Sequence, residues 1–358
     1  MNNDRMIPDV GHLLGRIINS QGEPIDERGP IPSAARLPLY DFVASETKAQ
    51  GSPVSMIEMG IKVIDLLAPI PRGGSFAMHS MPGLGKLVVQ QEMIHNLTIH
   101  YDSYVVGIGM DESSYDASEL VAPLEDFPDK NRMVLVFEQM SDSQEVLQRL
   151  IRVGLTVAIG LRRQGQEVMF IIDKNIAAKV SSSTLSTLKC VIQEQGLITL
   201  LLTPEEDGVP GDEENDVQKV LDARIFFSRE LAKQNIWPAI DHIASRSRLL
   251  ESDAVSEEHV QIAQQVRALL QRYASSPDAS VEGQQMVKRA RRVQLFLTQP
   301  FFVAEAFTDI PGEFVPLAET LKGCKELLEG RYDDLPEQAF YFVGTIEQAL
   351  AKAKVLRG

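Results

Sequence analysis

Apolar residues along this chain fall into two regimes. In the first, short unbroken apolar runs alternate with stretches in which apolar residues recur every three or four positions. The runs are Phe76-Ala77-Met78, Tyr104 to Gly109, Met133 to Phe137, Val168 to Asp173 and Leu197 to Leu202. The periodic stretches are Val88 to Thr98 and Ser143 to Leu161, the latter with Val146, Leu147, Leu150, Ile151, Leu155, Val157 and Ala158 in step. Runs of this length read as strands and the periodic stretches as helices. Unbroken apolar strands separated by helices predict a parallel sheet covered on both faces. Ahead of them, His12 to Ile18 predicts a short strand closed by the turn formers Asn19 to Pro24. Ile61 to Leu67 predicts a short helix ended by Ala68-Pro69.

From Ser256 onward the pattern is purely helical. Helices are predicted over Glu257 to Ala274, Val281 to Leu297, Leu317 to Leu328 and Gly344 to Ala353, with breaks at Pro277, Pro300 and Pro336. A boundary near residues 250–256 divides the chain into a flexible N-terminus at 1–12, a core at 13–252 and a helical domain at 253–358. Residues 26–55 carry several Pro and Gly with little periodicity and are expected to wrap over a surface.

Composition narrows the function classes. The formal charge of −15 argues against a general nucleic-acid surface, because phosphate contacts need clustered Lys and Arg. The one basic cluster, Lys288-Arg289-Ala290-Arg291-Arg292, is expected to be a solvated helix face. No apolar run approaches the roughly 18 residues that span a bilayer. The start of the chain has no apolar signal region, and Cys190 and Cys324 are far apart, so a cytoplasmic protein with reduced thiols is expected. The six histidines show no metal-ligand spacing.

The stretch with chemistry in it is Ser80-Met81-Pro82-Gly83-Leu84-Gly85-Lys86-Leu87. It lies between a strand and a helix, the layout of a phosphate-binding P-loop, G-x-x-x-x-G-K-[ST]. Gly83 and Gly85 permit the tight wrap that points successive backbone N–H groups at a phosphate, with the helix dipole behind them. Lys86 has the reach for terminal phosphates. Two positions depart from the pattern: Ser80 replaces the first glycine, and Leu87 replaces the hydroxyl residue that binds magnesium. An isobutyl group cannot ligate Mg²⁺. Asp173, closing an apolar strand, suits a carboxylate that orients the metal, or equally one that caps the next turn. A plain strand-to-helix turn is the competing reading of 80–87.

Longer motifs point to a family. Gly15 to Asn19 with Gly22 to Pro30, Gly60 to Pro69, Gly154-Leu155-Thr156-Val157-Ala158, Ser228 to Ala232, Trp237 to Asp241, Gln299-Pro300-Phe301, Val303-Ala304-Glu305, Val315-Pro316-Leu317 and Asp334 to Tyr341 together resemble the nucleotide-binding region of the rotary ATP synthase beta subunit. The resemblance covers nearly all of residues 13–357 and is closer than that to the flagellar or secretion ATPases. It implies an α/β, RecA-like P-loop core with a mainly parallel sheet, then an all-helical C-terminal domain. It implies assembly with an alpha-type subunit in a hexameric ring, and ATP or ADP as ligand. The family's N-terminal β-barrel is expected to be absent.

The departures from the family matter as much. Its Gly-Glu-Arg, whose Glu polarises the attacking water, aligns with Gly109-Met110-Asp111, and a thioether is no general base. Glu112 is the candidate that stands in reserve for that role, while Asp111 reverses the charge of the family's phosphate-holding arginine. The adenine-stacking tyrosine aligns with Leu202, while Phe301, Ala304 and Phe307 keep the aromatic wall contributed by the helical domain. Pro82, Gly83, Leu84, Gly85, Lys86 and Leu87 are the expected phosphate-binding residues, and Asp173 the candidate Mg²⁺ residue. The expectation is a beta-like pseudo-ATPase that binds nucleotide or phosphate weakly and serves as a structural or regulatory partner. The alternatives are an active or partner-completed rotary ATPase subunit, with Lys86 and Glu112 in catalytic roles, and a free-standing binding module.

Overall fold

A computed structural model describes residues 6–32, 35–40, 55–111, 130–196, 198–204, 216–275 and 281–357. In chain order the strands are β1 (Met6–Pro8), β2 (Arg16–Ile18), β3 (Arg36–Pro38), β4 (Met56–Ile57), β5 (Ile70–Pro71), β6 (Ser75–His79), β7 (Tyr104–Asp111), β8 (Met133–Gln139), β9 (Val168–Ile172), β10 (Ile198–Leu202), β11 (Ala223–Phe226) and β12 (Arg246–Ser247). Eight of them form one sheet in the order β12-β11-β6-β10-β9-β7-β8-β2. Every pairing in it is parallel except β11 with the edge strand β12.

The predicted apolar strands bury alternate residues on opposite faces. Phe76 and Met78 join one core with Val105, Leu135, Met169 and Leu201, whereas Ala77, Val106, Val134, Phe170, Leu200 and Leu202 face the other. Helix α1 (Lys62–Leu67), helix α2 (Lys86–Tyr101) and the C-terminal helices cover the first face. Helices Gln144–Arg163 and Ser182–Gln195 cover the second. The molecule is thus an α/β layer structure with a C-terminal helical region, in keeping with a RecA-like core. At Gly154 the long helix approaches the sheet so closely that a Cβ would lie 2.4 Å from Ile108 and 2.8 Å from Phe170.

The helical region, Glu257–Ser275, Val281–Phe296, Leu317–Leu328 and Ile346–Arg357, is joined to the sheet side by buried polar side chains. Lys62 donates to Val343 O and, at 3.0 Å, to Gly344 O, and its ammonium sits 4.2 Å over the Phe296 ring. Burial lowers that ammonium to about 7. The Gln299 amide accepts from Lys62 N and donates to Gly60 O and Glu313 O. No helix among the described residues is long and apolar enough to cross a membrane.

Three expectations change. Residues 6–12, read as loose, hold a strand and a 3-10 turn with Ile7 and Val10 buried. Residues 26–55, read as wrapping, contribute β3, which pairs antiparallel with β1. Both segments are short and Pro-containing, so their pairing is a tertiary effect without a local signal. The basic cluster is not simply a solvated face. Arg292 is buried and donates to Asp333 O and Leu335 O, and Arg289 pairs with Asp333.

Candidate functional site

The carboxyl ends of β6, β9 and β10 lie side by side in the sheet, which is where open parallel sheets place their ligand crevice. The chain leaving β6 makes the turn 80–85 and enters α2. Gly83 and Gly85 have φ of +80° and +82°, a conformation that side-chain-bearing residues adopt at a cost. Gly85 caps α2 without a side-chain hydrogen bond, so the first turn of the helix presents backbone N–H groups. Ser80, where a third glycine was expected, is buried and its hydroxyl donates to Met81 O at 2.8 Å. Lys86 Nζ lies 3.3 Å from Thr203 O, the residue that follows β10.

This turn opens into a cavity of about 560 Å³, within the range of small-molecule sites. One side is residues 81–89, which include Pro82, Gly83, Leu84, Gly85, Lys86 and Leu87. Across from them stand Trp237, Pro238, Gln299, Phe301, Ala304, Thr308 and Phe342. A Cβ on Gly85 would lie 3.3 Å from the Trp237 ring, so the indole stands directly over the turn. The arrangement offers an anion cradle at one end and flat apolar walls at the other.

Residues 60–189 match the family model described as ATP synthase alpha/beta family, nucleotide-binding domain. The chain is related to the ATP synthase alpha/beta proteins. That segment contains the turn 80–87, α2 and Asp173. The second wall of the cavity comes from residues beyond it.

Against this ATP synthase alpha/beta relationship, the expected residues sort as follows. Phe301, Ala304 and the six residues Pro82 to Leu87 line one cavity. Phe307 does not, and the residue is 89% exposed. Leu202 is not a wall either. It is buried in the core on the sheet face away from α2. The indole at the cavity is Trp237, which stands in a family motif and was not among the expected site residues. Its signal was available, since it is the single tryptophan of the chain and sits beside Pro238 within that motif. Phe342, Gln299 and Thr308 were also missed as lining residues.

Among the described residues, one of the two positions read as magnesium-directed brings no ligand atom. Leu87 brings only carbon to the position of the metal-binding hydroxyl. Asp173 uses both carboxylate oxygens on backbone: Oδ1 accepts from Ile176 N at 2.9 Å and Oδ2 from Met110 N at 3.0 Å. The Oδ1 contact makes Asp173 the N-cap of the helix that follows β9, and the Oδ2 contact ties it to β7. Met110 is fully buried in the sheet core, so its side chain is not turned to the cavity. Glu112 lies outside the described residues. Among the described residues, no group of three or more His, Cys, Asp or Glu side chains could hold a metal ion.

Proposed function

We propose that this chain is a beta-like, catalytically silent member of the ATP synthase alpha/beta group that binds ATP or ADP without Mg²⁺. On this reading residues 13–252 are the nucleotide-binding core and 253–358 a helical domain. The partner is an alpha-type subunit in a hexameric ring, where the chain serves structure or regulation, in the cytoplasm or held peripherally to a membrane through that assembly. One observation carries the proposal. The glycine–lysine turn still opens onto a cavity walled by Trp237, Phe301 and Phe342, while Leu87 brings no oxygen for a metal and Asp173 is held as a helix cap.

The phosphates fit the N–H groups of 83–87 and the Lys86 ammonium, and the base fits between Trp237 and Phe301. What is lacking, among the described residues, is a base for water and a ligand set for a cation at the transferred phosphoryl group, each worth orders of magnitude in rate. ADP and ATP titrations with and without EDTA test this. Binding is expected to be indifferent to metal and weakened by Lys86→Ala, and turnover to stay at background even with an alpha-type chain. Steady ATP turnover that Lys86→Ala abolishes would overturn the proposal.

A further inference from the structure

The cavity wall at 301–304 is fastened to the helix of the phosphate turn by a carboxyl group with an unusual environment. Glu92 lies in α2 and is completely buried. Its Oε2 accepts from Val303 N at 3.2 Å, in the short helical turn between Phe301 and Ala304. Its Oε1 is buried and meets no hydrogen-bond donor, and the same is true of Asn96 Oδ1. Asn96 stands four residues further along, on the same helix face, with its amide nitrogen committed to Met59 O at 2.8 Å. A buried carboxylate oxygen without a donor is costly to leave charged. A proton on Glu92 Oε1 removes that charge.

We propose that Glu92 is a positioning residue for the cavity: its buried, protonated carboxyl accepts from Val303 N through Oε2 and so sets Phe301 and Ala304 against α2. The inference rests on the nucleotide reading of the cavity for its consequence, which is that binding there is linked to one proton. Burial raises the Glu92 carboxyl to about 7, and the like charge of Glu305 adds to the rise, while the Val303 and Phe302 amides and the Asn96 side chain offset part of it. The other titratable groups of α2 facing this wall are His95, whose ring lies 4.9 Å from that of Phe302, and His100, 4.0 Å from Phe314. Burial lowers the His100 value.

The single tryptophan reports on the wall without any ligand, because Trp237 lines the same cavity and its carbonyl accepts from Gln299 N at 3.2 Å. Intrinsic fluorescence of the full chain is followed from pH 5.5 to 8.5 in wild type, Glu92→Gln and Asn96→Ala. An inflection near pH 7 is expected in wild type, none in Glu92→Gln, and one displaced to higher pH in Asn96→Ala, because the Asn96 side chain favours the charged carboxylate. Metal-free ADP is then titrated at each pH. Wild-type affinity is expected to fall relative to Glu92→Gln by up to about tenfold per pH unit above the inflection, which cancels the ligand's own titration. Bound ADP raises the inflection by reciprocity. An inflection that persists unmoved in both variants assigns the proton to His95 or His100 and overturns the proposal. If the inflection behaves as stated but ADP leaves the fluorescence unchanged at every pH, Glu92 stands and the nucleotide reading falls.

Discussion

At the scale of single residues, the site separates into what is local in the chain and what folding brings in. Gly83, Gly85 and Lys86 were legible because a tight turn and a cation within one segment leave a spacing. Trp237 was not, because nothing in its own neighbourhood says that its ring will stand 3.3 Å from the Cβ position of a glycine some 150 residues earlier. Leu202 shows the converse error. It aligns where an aromatic was sought, yet it is the last residue of β10 and faces the core. If Trp237 is the base wall, Trp237→Ala is expected to weaken ADP binding by ~1–3 kcal/mol, the usual worth of an aromatic–base stack, measured by calorimetry. The same scale decides what a repair can do. Leu87→Thr restores a hydroxyl, so some Mg²⁺ dependence of binding is expected. Turnover is expected to remain at background, since Met110 stays buried and Asp173 stays engaged with two amides. A coupled-enzyme assay with and without Mg²⁺ measures the outcome.

At the scale of elements, periodicity carried most of the fold. Leu317–Leu328 starts and stops where the pattern put it, and Gln144–Arg163 runs close to its predicted limits. The helix Ser182–Gln195 was overlooked for a physical reason. Its first turns are Ser and Thr, which compete with the helix through their hydroxyls, and here Ser181 accepts from Thr184 N as a cap. Its buried Leu185, Leu188, Val191 and Ile192 nonetheless keep helical spacing. β11 was hidden differently, being four residues long with Arg224 inside it. Where two elements meet most tightly, size decides stability. Gly154→Leu places a branched side chain where Ile108 and Phe170 leave no room. It is expected to destabilise the chain by ~1–3 kcal/mol or more, as overpacking does, read from urea denaturation midpoints. Gly154→Ala is expected to cost less than Gly154→Leu.

At the scale of the whole molecule, buried titratable groups tie stability to pH. Glu92 has a folded value near 7 and an ordinary one of 4.5. Between these limits the folded chain keeps a proton that the unfolded chain releases, so this group's contribution falls as pH rises from about 4.5 to about 7 and then levels off. His242 works in the opposite sense. Burial lowers it from 6.5 to about 4, so the unfolded chain takes up a proton first and stability is lost as pH falls through that window. Glu92→Gln removes only the first effect. Its stability relative to wild type is expected to climb across pH 4.5–7, by at most ~1.4 kcal/mol per pH unit, measured from urea midpoints at each pH. The sheet edges set a different limit. Beyond β2, the chain folds back so that Ile25 N donates to Ile17 O and the Asp26 carboxylate accepts from Ile17 N, while the opposite edge is the two-residue β12. An edge whose groups are already taken, as at Ile17, or that is only two residues long is a poor template for a neighbour's backbone. A ring or dimer built on this eight-stranded sheet is therefore expected to assemble through side chains on its flanks, its specificity written in surface residues rather than in a continuous intermolecular sheet.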